Sequence, residues 1–359
     1  MATSTLPVPS QKDVFGHPLI RLLIVDDSMI ARTVLTRMLE PRPEFEIVAS
    51  VANAEEALRV VDQAKVDVVL LDLVMPGVSG LELLPQLIAR SNGARVLIVS
   101  SAAADGAATT LQALALGAAD TLQKPGGTNF VGRFAETLAD RLIRIARDRT
   151  EVRNFRPRVT SEKPAKHDAI DCLAIGASTG GIAALTELLT HLPESFRAPI
   201  LITQHLPATF MPYFANQTQA MSGRPTSVAR DGDKLVPGSI LVAPGEGHMR
   251  LKRIGSLVRV HLDPSPVDTL CMPSVDPMFE SLAEIYGPRG LAVVLSGMGR
   301  DGTSGARAVA KVGGEILVQD PETSVVWGMP GSVTDAGLAS AVLAPERIAA
   351  RIAIRFGDS

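Results

Sequence analysis

The chain has 359 residues, which at about 100–200 residues per domain is enough for two domains rather than one. Hydrophobic residues make up 46% of the chain and charged residues 20%, a composition that supports packed cores and excludes a disordered protein. Lys and Arg total 35 against 38 Asp and Glu, and this net charge of −3 disfavours nucleic acid or an anionic membrane as a partner.

Residues 1–18 carry no basic segment followed by an apolar one, so they are predicted to be a flexible tail and not a signal peptide. No run of about 18 apolar residues occurs, which disfavours a membrane-spanning helix. The two cysteines, Cys172 and Cys271, are too few for a metal cluster or a disulfide framework and are expected to be reduced. We therefore expect a cytoplasmic protein.

The first half of the chain alternates between strand-like and helix-like segments. Right-handed crossovers between such units give an open parallel sheet with helices on both faces. A doubly wound α/β domain is therefore predicted over residues 19–143. Its predicted strands are 19–25, 46–51, 66–71, 94–99 and 120–123, and its predicted helices include 31–39, 54–63, 81–89 and 109–116.

Acidic side chains follow two of these strands. Asp26 and Asp27 come after the first strand and Asp72 after the third, and the carboxyl ends of parallel strands meet at one edge of the sheet. Carboxylates gathered this closely repel one another unless a cation lies among them, and oxygen ligands suit Mg²⁺. Ser100 and Lys124 follow the fourth and fifth strands, so a hydroxyl and an ammonium group are expected at the same edge.

These side chains lie in the motifs VDDS, LLDLVMPGVSG, VSS and QKP, through which residues 19 to about 142 resemble the receiver domain of two-component response regulators. The resemblance implies a flavodoxin-like fold, phosphorylation of Asp72 and a histidine kinase as phosphoryl donor. Thr121 departs from the pattern, because receivers often carry an aromatic switch residue there. The resemblance also implies Mg²⁺ ligands and phosphoryl-binding groups: Asp27, Asp72 and the Val74 carbonyl on the metal, Asp26 on a metal-bound water, and Ser100 and Lys124 on the phosphoryl oxygens.

Residues 144–168 lose the apolar periodicity and carry eight Lys and Arg against four acids. A continuation of the preceding helix is compatible with the first part, whereas Pro157 and Pro164 indicate an exposed basic linker beyond it. Basic runs also occur in nucleic-acid-binding proteins, so a receiver-controlled DNA binder that uses Arg153 and Arg156 is an alternative. The absence of a helix-turn-helix pattern in the sequence disfavours that alternative.

A second α/β domain is predicted over residues 169–359, because strand-like segments return after the linker. Residues 250–262 alternate like an antiparallel pair with a turn at Gly255, and residues 345–355 are predicted to form a closing helix. The predicted strands of the sheet are 171–175, 199–203, 239–242, 291–295 and 315–318.

A serine, a histidine and an aspartate follow three of these strands. Ser178 lies in the turn GASTGG before a predicted helix, His205 follows the second strand, and Asp301 lies in the loop SGMGRDG. A helix N-terminus favours developing negative charge, so Ser178 is a candidate nucleophile in a Ser-His-Asp triad. The same turn is compatible with phosphate binding through Gly180 and Gly181, so a non-catalytic nucleotide- or phosphate-binding output module remains an alternative.

The motifs AIGASTGG, LITQHLP, LVAPGEGHM, PSVDPMFESLA, VVLSGMGRDGTSGA and WGMPGSV resemble, in this order, the catalytic domain of chemotaxis-specific protein-glutamate methylesterases. The resemblance implies hydrolysis of glutamyl methyl esters on methyl-accepting receptors, deamidation of selected glutamines, and control by the receiver. It implies that Ser178 is the nucleophile, His205 the general base and then acid, and Asp301 the residue that orients His205. The Met298 backbone N–H is then the oxyanion donor, and no cofactor is expected at this site. His248, in APGEGH, is a further candidate pocket residue.

Overall fold

The computed structural model describes residues 16–100, 104–124, 131–151 and 169–356. They belong to two compact units, one within Met1–Ala102 and Asp120–Arg147, the other within Ala103–Ala119 and Asp148–Ser359. The first 15 residues of the predicted tail and residues 152–168 of the predicted linker lie outside the described residues. Among the described helices, none has the length and apolar character needed to cross a membrane.

The first sheet has five parallel strands in the order β2-β1-β3-β4-β5, so the predicted doubly wound architecture is confirmed. Residues Leu22 to Val25 are fully buried, which is why this strand is apolar without alternation. The strands are β1 (Ile20–Val25), β2 (Phe45–Val51), β3 (Val68–Leu71), β4 (Arg95–Ser100) and β5 (Asp120–Gln123).

Five helices follow these strands in the chain. They are α1 (Met29–Leu39), α2 (Ala54–Gln63), α3 (Gly80–Arg90), α4 (Ala104–Ala115) and α5 (Val131–Glu151). Polar residues begin the first three as N-caps: Ser28, Asn53 and Ser79, the last in a capping box with Glu82. Helix α5 runs to Glu151, so the first eight residues of the predicted linker are helical.

The second unit contains a seven-stranded parallel sheet in the order β14-β13-β12-β6-β7-β9-β8. An antiparallel hairpin of β10 (His248–Ile254) and β11 (Leu257–Asp263) turns at Gly255, as predicted. The strands of the sheet are β6 (Cys172–Ala177), β7 (Ile200–Gln204), β8 (Thr226–Val228), β9 (Ile240–Val242), β12 (Gly290–Val294), β13 (Glu315–Gln319) and β14 (Ala341–Leu343).

Six helices accompany this sheet, and the predicted closing helix is confirmed. They are α6 (Gly181–Thr190), α7 (Met211–Ser222), α8 (Val275–Tyr286), α9 (Thr303–Lys311), α10 (Gly328–Asp335) and α11 (Pro345–Phe356). The core on one side of the sheet includes Met278, Phe279 and Leu282 of α8, which are fully buried against β6 and β12. This packing fixes the N-terminus of α8 at the carboxyl edge of the central strands.

Candidate functional site

Ser178 directly follows β6, at the point where the strand order of the second sheet reverses. The chain continues from β6 to β7 on one side, and β12 returns later on the other side. Open parallel sheets bind ligands at the carboxyl ends of the strands at such a reversal. The register pairs Ala177 with Gln204, so Ser178 and His205 leave neighbouring strands side by side, at about the 4.8 Å strand spacing.

The backbone around Ser178 is held from both sides. Its N–H donates to the Ser296 carbonyl at 3.0 Å, and its carbonyl accepts from Gln204 Nε2 at 2.9 Å. Gly180 caps α6 with a φ of +75°, where a Cβ atom would lie 2.3 Å from Cβ of Val325. This position therefore requires glycine for both its conformation and its packing. The turn presents Ser178 at the positive end of α6 in a fixed conformation.

His205 and Asp301 form a short hydrogen bond at the same edge. Nε2–H of His205 donates to Oδ2 of Asp301 at 2.7 Å, which leaves Nδ1 as the other ring nitrogen. Burial lowers the pKa of His205, but the Asp301 carboxylate and the adjacent Cys271 outweigh it and raise that pKa to about 9. The arrangement can orient an imidazole and stabilise its protonated form.

Asp301 is buried in a cradle of donors at the N-terminus of α8. The Ser274 hydroxyl donates to Oδ1 at 2.6 Å, and the Val275 N–H donates to Oδ2 at 2.7 Å. The N–H groups of Gly302 and Asp276 donate to Oδ1 at 3.0 and 3.3 Å. Burial raises the pKa of Asp301, yet its hydrogen bonds to His205 and to these donors lower it to about 2. The carboxylate is therefore ionised at neutral pH.

His248 supports this cradle and is fully buried. Its Nε2–H donates to the Ser265 carbonyl at 2.8 Å, and its Nδ1 accepts the Ser274 N–H at 3.0 Å. Both ring nitrogens are thus used by backbone groups, which fixes the orientation of the ring. The candidate pocket role of His248 is therefore better described as support for Ser274.

The loop after β12 lies against Ser178. Gly297 donates its N–H to the Val326 carbonyl at 3.1 Å and accepts the Met329 N–H at 2.8 Å. A Cβ atom at Gly297 would lie 2.9 Å from Cβ of Ser178, so glycine permits this close approach. Met298 is the next residue in the chain after Gly297 and is half-buried. This position suits a donor to a developing oxyanion.

The sequence interpretation missed several residues of this site. Ser274 and Asp276 begin a helix that was not predicted, although the order Ser-Val-Asp before an apolar run is typical of a helix N-terminus. Burial raises the pKa of Asp276 to about 7, and the nearby Asp301 carboxylate adds to the rise. Cys271 lies with His205 and Asp301 in one cluster, and no signal in the sequence indicates this.

The first sheet brings together the residues predicted at its carboxyl edge. One oxygen each of Asp26, Asp27 and Asp72 lie within 4.8 Å of one another. Lys124 Nζ lies 2.6 Å from Oδ2 of Asp26 and 2.6 Å from Oδ2 of Asp72. Burial lowers the pKa of Lys124, but hydrogen bonds and charge interactions with these two carboxylates raise it overall. Three carboxylates around one point are a donor set that fits Mg²⁺.

The two remaining predicted residues of this edge lie next to the cluster. Ser100 ends β4 opposite Gln123, and its carbonyl accepts the Lys124 N–H at 2.8 Å. Val74 is exposed, and its N–H donates to Oδ1 of Asp72 at 3.2 Å. The carboxylates, the hydroxyl-bearing residue and the lysine therefore share one strand edge, as the sequence predicts.

Comparisons with known proteins cover both units. The profile of the CheB methylesterase family matches residues 173–352, and that of the response regulator receiver domain matches residues 22–131. The chain is 42% identical to protein-glutamate methylesterase/protein-glutamine glutaminase 2 of Caulobacter vibrioides, over 94% of this chain and 99% of that protein. It is 38% identical to protein-glutamate methylesterase/protein-glutamine glutaminase 1 of Rhodospirillum rubrum, over 94% and 95%. The CheB methylesterase catalytic domain of Thermotoga maritima covers 51% of this chain and 97% of its own, at 38% identity and a TM-score of 0.50.

Proposed function

Because the chain belongs to the CheB methylesterase family, with a receiver domain ahead of the catalytic domain, we propose that it is a phosphorylation-activated protein-glutamate methylesterase. It hydrolyses glutamyl methyl esters on methyl-accepting chemotaxis receptors, releases methanol, and deamidates selected receptor glutamines. The observation that carries the proposal is the placement of Ser178, His205 and Asp301 at three adjacent strand ends, with the 2.7 Å bond between the last two.

The proposed reaction proceeds in two steps. Ser178 Oγ attacks the ester carbonyl while Nδ1 of His205 accepts its proton, and the Met298 N–H stabilises the oxyanion. The imidazolium then protonates the leaving methoxide, so methanol departs and an acyl-enzyme remains. Water, deprotonated by His205, hydrolyses the acyl-enzyme and restores Ser178. Asp301 stays ionised and stabilises the imidazolium in both steps. With glutamine the leaving group is ammonia, and the product is the same glutamate.

The proposed regulation places the phosphoryl group on Asp72. Asp27, Asp72 and the Val74 carbonyl would hold Mg²⁺, and Asp26 would lie close enough to act on it through water. Bound Mg²⁺ neutralises the crowded oxygens of the carboxylate and the phosphoryl group. Ser100 and Lys124 bind the phosphoryl oxygens. A chemotaxis histidine kinase supplies the phosphoryl group.

The domain assignment and location complete the proposal. We assign the receiver to residues 19–143 and the catalytic domain to residues 169–359. The proposed location is the cytoplasm, and the proposed function involves neither nucleic acid nor insertion into a membrane.

The nucleotide-binding alternative is not favoured by the packing of the GASTGG turn. The space beside Gly180 is filled by Val325 and by the Ser296 hydroxyl, and the space beside Gly181 by Ala177 and Gln204. Glycine is therefore required at both positions because neighbouring protein atoms pack against them. This packing gives no support to a phosphate-binding role for the turn.

The test is methanol release from a methylated receptor fragment, measured with the resting protein and with the protein supplied with Mg²⁺ and a small phosphoryl donor. We expect faster release after phosphorylation, and almost none from Ser178→Ala under either condition. Equal release from Ser178→Ala and the unaltered protein would contradict the catalytic assignment. Release that is unaffected by the donor, although Asp72 takes up phosphate, would contradict the regulatory part alone.

A further inference from the structure

Cys271 lies at the His205–Asp301 pair, in the loop that leads into α8. One ring nitrogen of His205, the sulfur of Cys271 and one carboxylate oxygen of Asp301 all lie within 4.8 Å of one another. Cys271 is half-buried, and its thiol donates weakly to the Thr269 carbonyl at 3.6 Å. The esterase reaction proposed above does not use this thiol. The thiol is a third potential metal ligand beside the His205 imidazole and the Asp301 carboxylate, which are already hydrogen-bonded to each other.

The geometry fits one tetrahedral metal ion. Bonds of about 2.0–2.3 Å at tetrahedral angles place ligand atoms roughly 3.4 Å apart. The three atoms lie within 4.8 Å of one another, and metal binding would lengthen the 2.7 Å separation of His205 Nε2 and Asp301 Oδ2. A nitrogen, a sulfur and an oxygen form a mixed donor set that suits Zn²⁺, whereas the all-oxygen cluster of the first sheet suits Mg²⁺. Three protein ligands leave the fourth position for water. We propose that His205, Cys271 and Asp301 form a Zn²⁺ site whose occupation switches off the esterase.

The chemistry of metal binding explains the inhibition. The Cys271 thiol loses its proton to become a thiolate ligand, and Zn²⁺ replaces the Nε2 proton that His205 shares with Asp301. The imidazole then carries its proton on Nδ1. If His205 is neutral before Zn²⁺ binds, one proton leaves the site, from the thiol; if His205 is protonated, a second proton leaves from the ring. A ring with Nδ1–H has no lone pair to accept the proton of Ser178. The inhibitory part of this inference rests on the proposed function, but the binding part does not.

Binding is tested on the full chain without a purification tag, with Co²⁺ as a spectroscopic probe for the Zn²⁺ site. Excess Mg²⁺ is present to occupy the acidic cluster of the first sheet. We expect one Co²⁺ per chain with the ultraviolet charge-transfer band of a cobalt–thiolate bond, and we expect Zn²⁺ to abolish the band by competition. Cys271→Ala and Cys271→Ser should lose the band. Cys172→Ala is the matched control, because Cys172 is fully buried in β6, and it should retain the band.

The affinity for Zn²⁺, measured by competition with a chelating dye, should fall at least about 100-fold in Cys271→Ala, since even partners that only contact a ligand contribute 10- to 100-fold. A band that persists in both Cys271 variants, or its absence from the unaltered protein, would overturn the site. Ser178→Ala should bind Zn²⁺ as the unaltered protein does, which separates metal binding from catalysis.

Inhibition is tested by methanol release with and without Zn²⁺. The unaltered protein and Cys172→Ala should lose activity at the Zn²⁺ concentration that saturates the site, and a chelator should restore it. In Cys271→Ala the inhibiting concentration should rise about 100-fold with the affinity. Full activity with the site saturated would overturn the inhibitory role. If no variant releases methanol, the proposed function fails while the cobalt band still decides the metal site.

Discussion

The hydroxyl of Ser274 is expected to set the pH at which the esterase becomes active. It is fully buried and donates to Oδ1 of Asp301 at 2.6 Å. The pKa of His205 is raised from 6.5 to about 9, which at about 1.4 kcal/mol per pKa unit corresponds to about 3–4 kcal/mol in favour of the imidazolium. A hydrogen bond to a charged group contributes about 1.5–3 kcal/mol. Ser274→Ala therefore removes an interaction of a size comparable to the whole rise.

The direction of the effect follows from charge. Without the hydroxyl, the Asp301 carboxylate is less well stabilised and holds the proton of His205 more strongly, so the pKa of His205 rises further. Three backbone N–H groups still donate to the carboxylate, so we expect a rise of about one pKa unit and not the full effect. Because only neutral His205 accepts a proton from Ser178, kcat/KM at pH 7 should fall about tenfold. The loss should diminish at alkaline pH.

The assay is the pH dependence of methanol release by Ser274→Ala, together with Ser274→Thr, which keeps the hydroxyl. A matched control is Ser281→Ala, which removes another buried hydroxyl of α8, one that accepts the Leu251 N–H and does not contact Asp301. We expect an alkaline shift of the midpoint in Ser274→Ala and none in Ser281→Ala or Ser274→Thr. An unchanged midpoint with a uniform loss of rate, or an acid shift, would refute the reasoning.

Three further outcomes are expected. Ser178→Ala should lower kcat by roughly 10⁴–10⁶, as measured by methanol release, and a loss below tenfold would remove Ser178 from its role. In the unaltered protein kcat/KM should rise with pH through a midpoint above 6.5 and near 9, because the base form of His205 appears only above its raised pKa, and a profile flat from pH 6 to pH 9 would contradict this. Asp72→Asn should take up no phosphate from a small donor, as followed by mass spectrometry, and phosphorylation of that variant would move the acceptor elsewhere.

Much of the fold was predictable because parallel sheets have a simple signature. Buried on both faces, strands such as β1, β6 and β12 are continuous apolar runs, and these were recognised. The edge strands β8 and β14 were missed because each has three residues and is at least partly exposed. The first half of α4 was missed because its small residues lack an apolar stripe.

Within the candidate site, the sequence predicted only the positions of residues that follow a strand of the parallel sheet. Ser178, His205 and Asp301 follow strands, and parallel strands end at one edge, so their meeting follows from topology. The cradle around Asp301 depends on where α8 begins, which is set by the packing of its buried face against β6 and β12. The place of Cys271 depends on the path of the irregular residues 264–274, for which no periodicity exists.

The central position of β6 has a consequence for local unfolding of the second sheet. Ser178, His205 and Asp301 follow β6, β7 and β12, which lie together in the middle of the sheet, whereas β8 and β14 form its edges. Local unfolding begins where strands are short and exposed, so amide hydrogens of the edge strands should exchange with solvent well before those of the central three. The geometry of the proposed triad is therefore expected to survive local unfolding of an edge strand, because the three central strands stay in place. Cooperative unfolding of the sheet would be needed to separate the three residues.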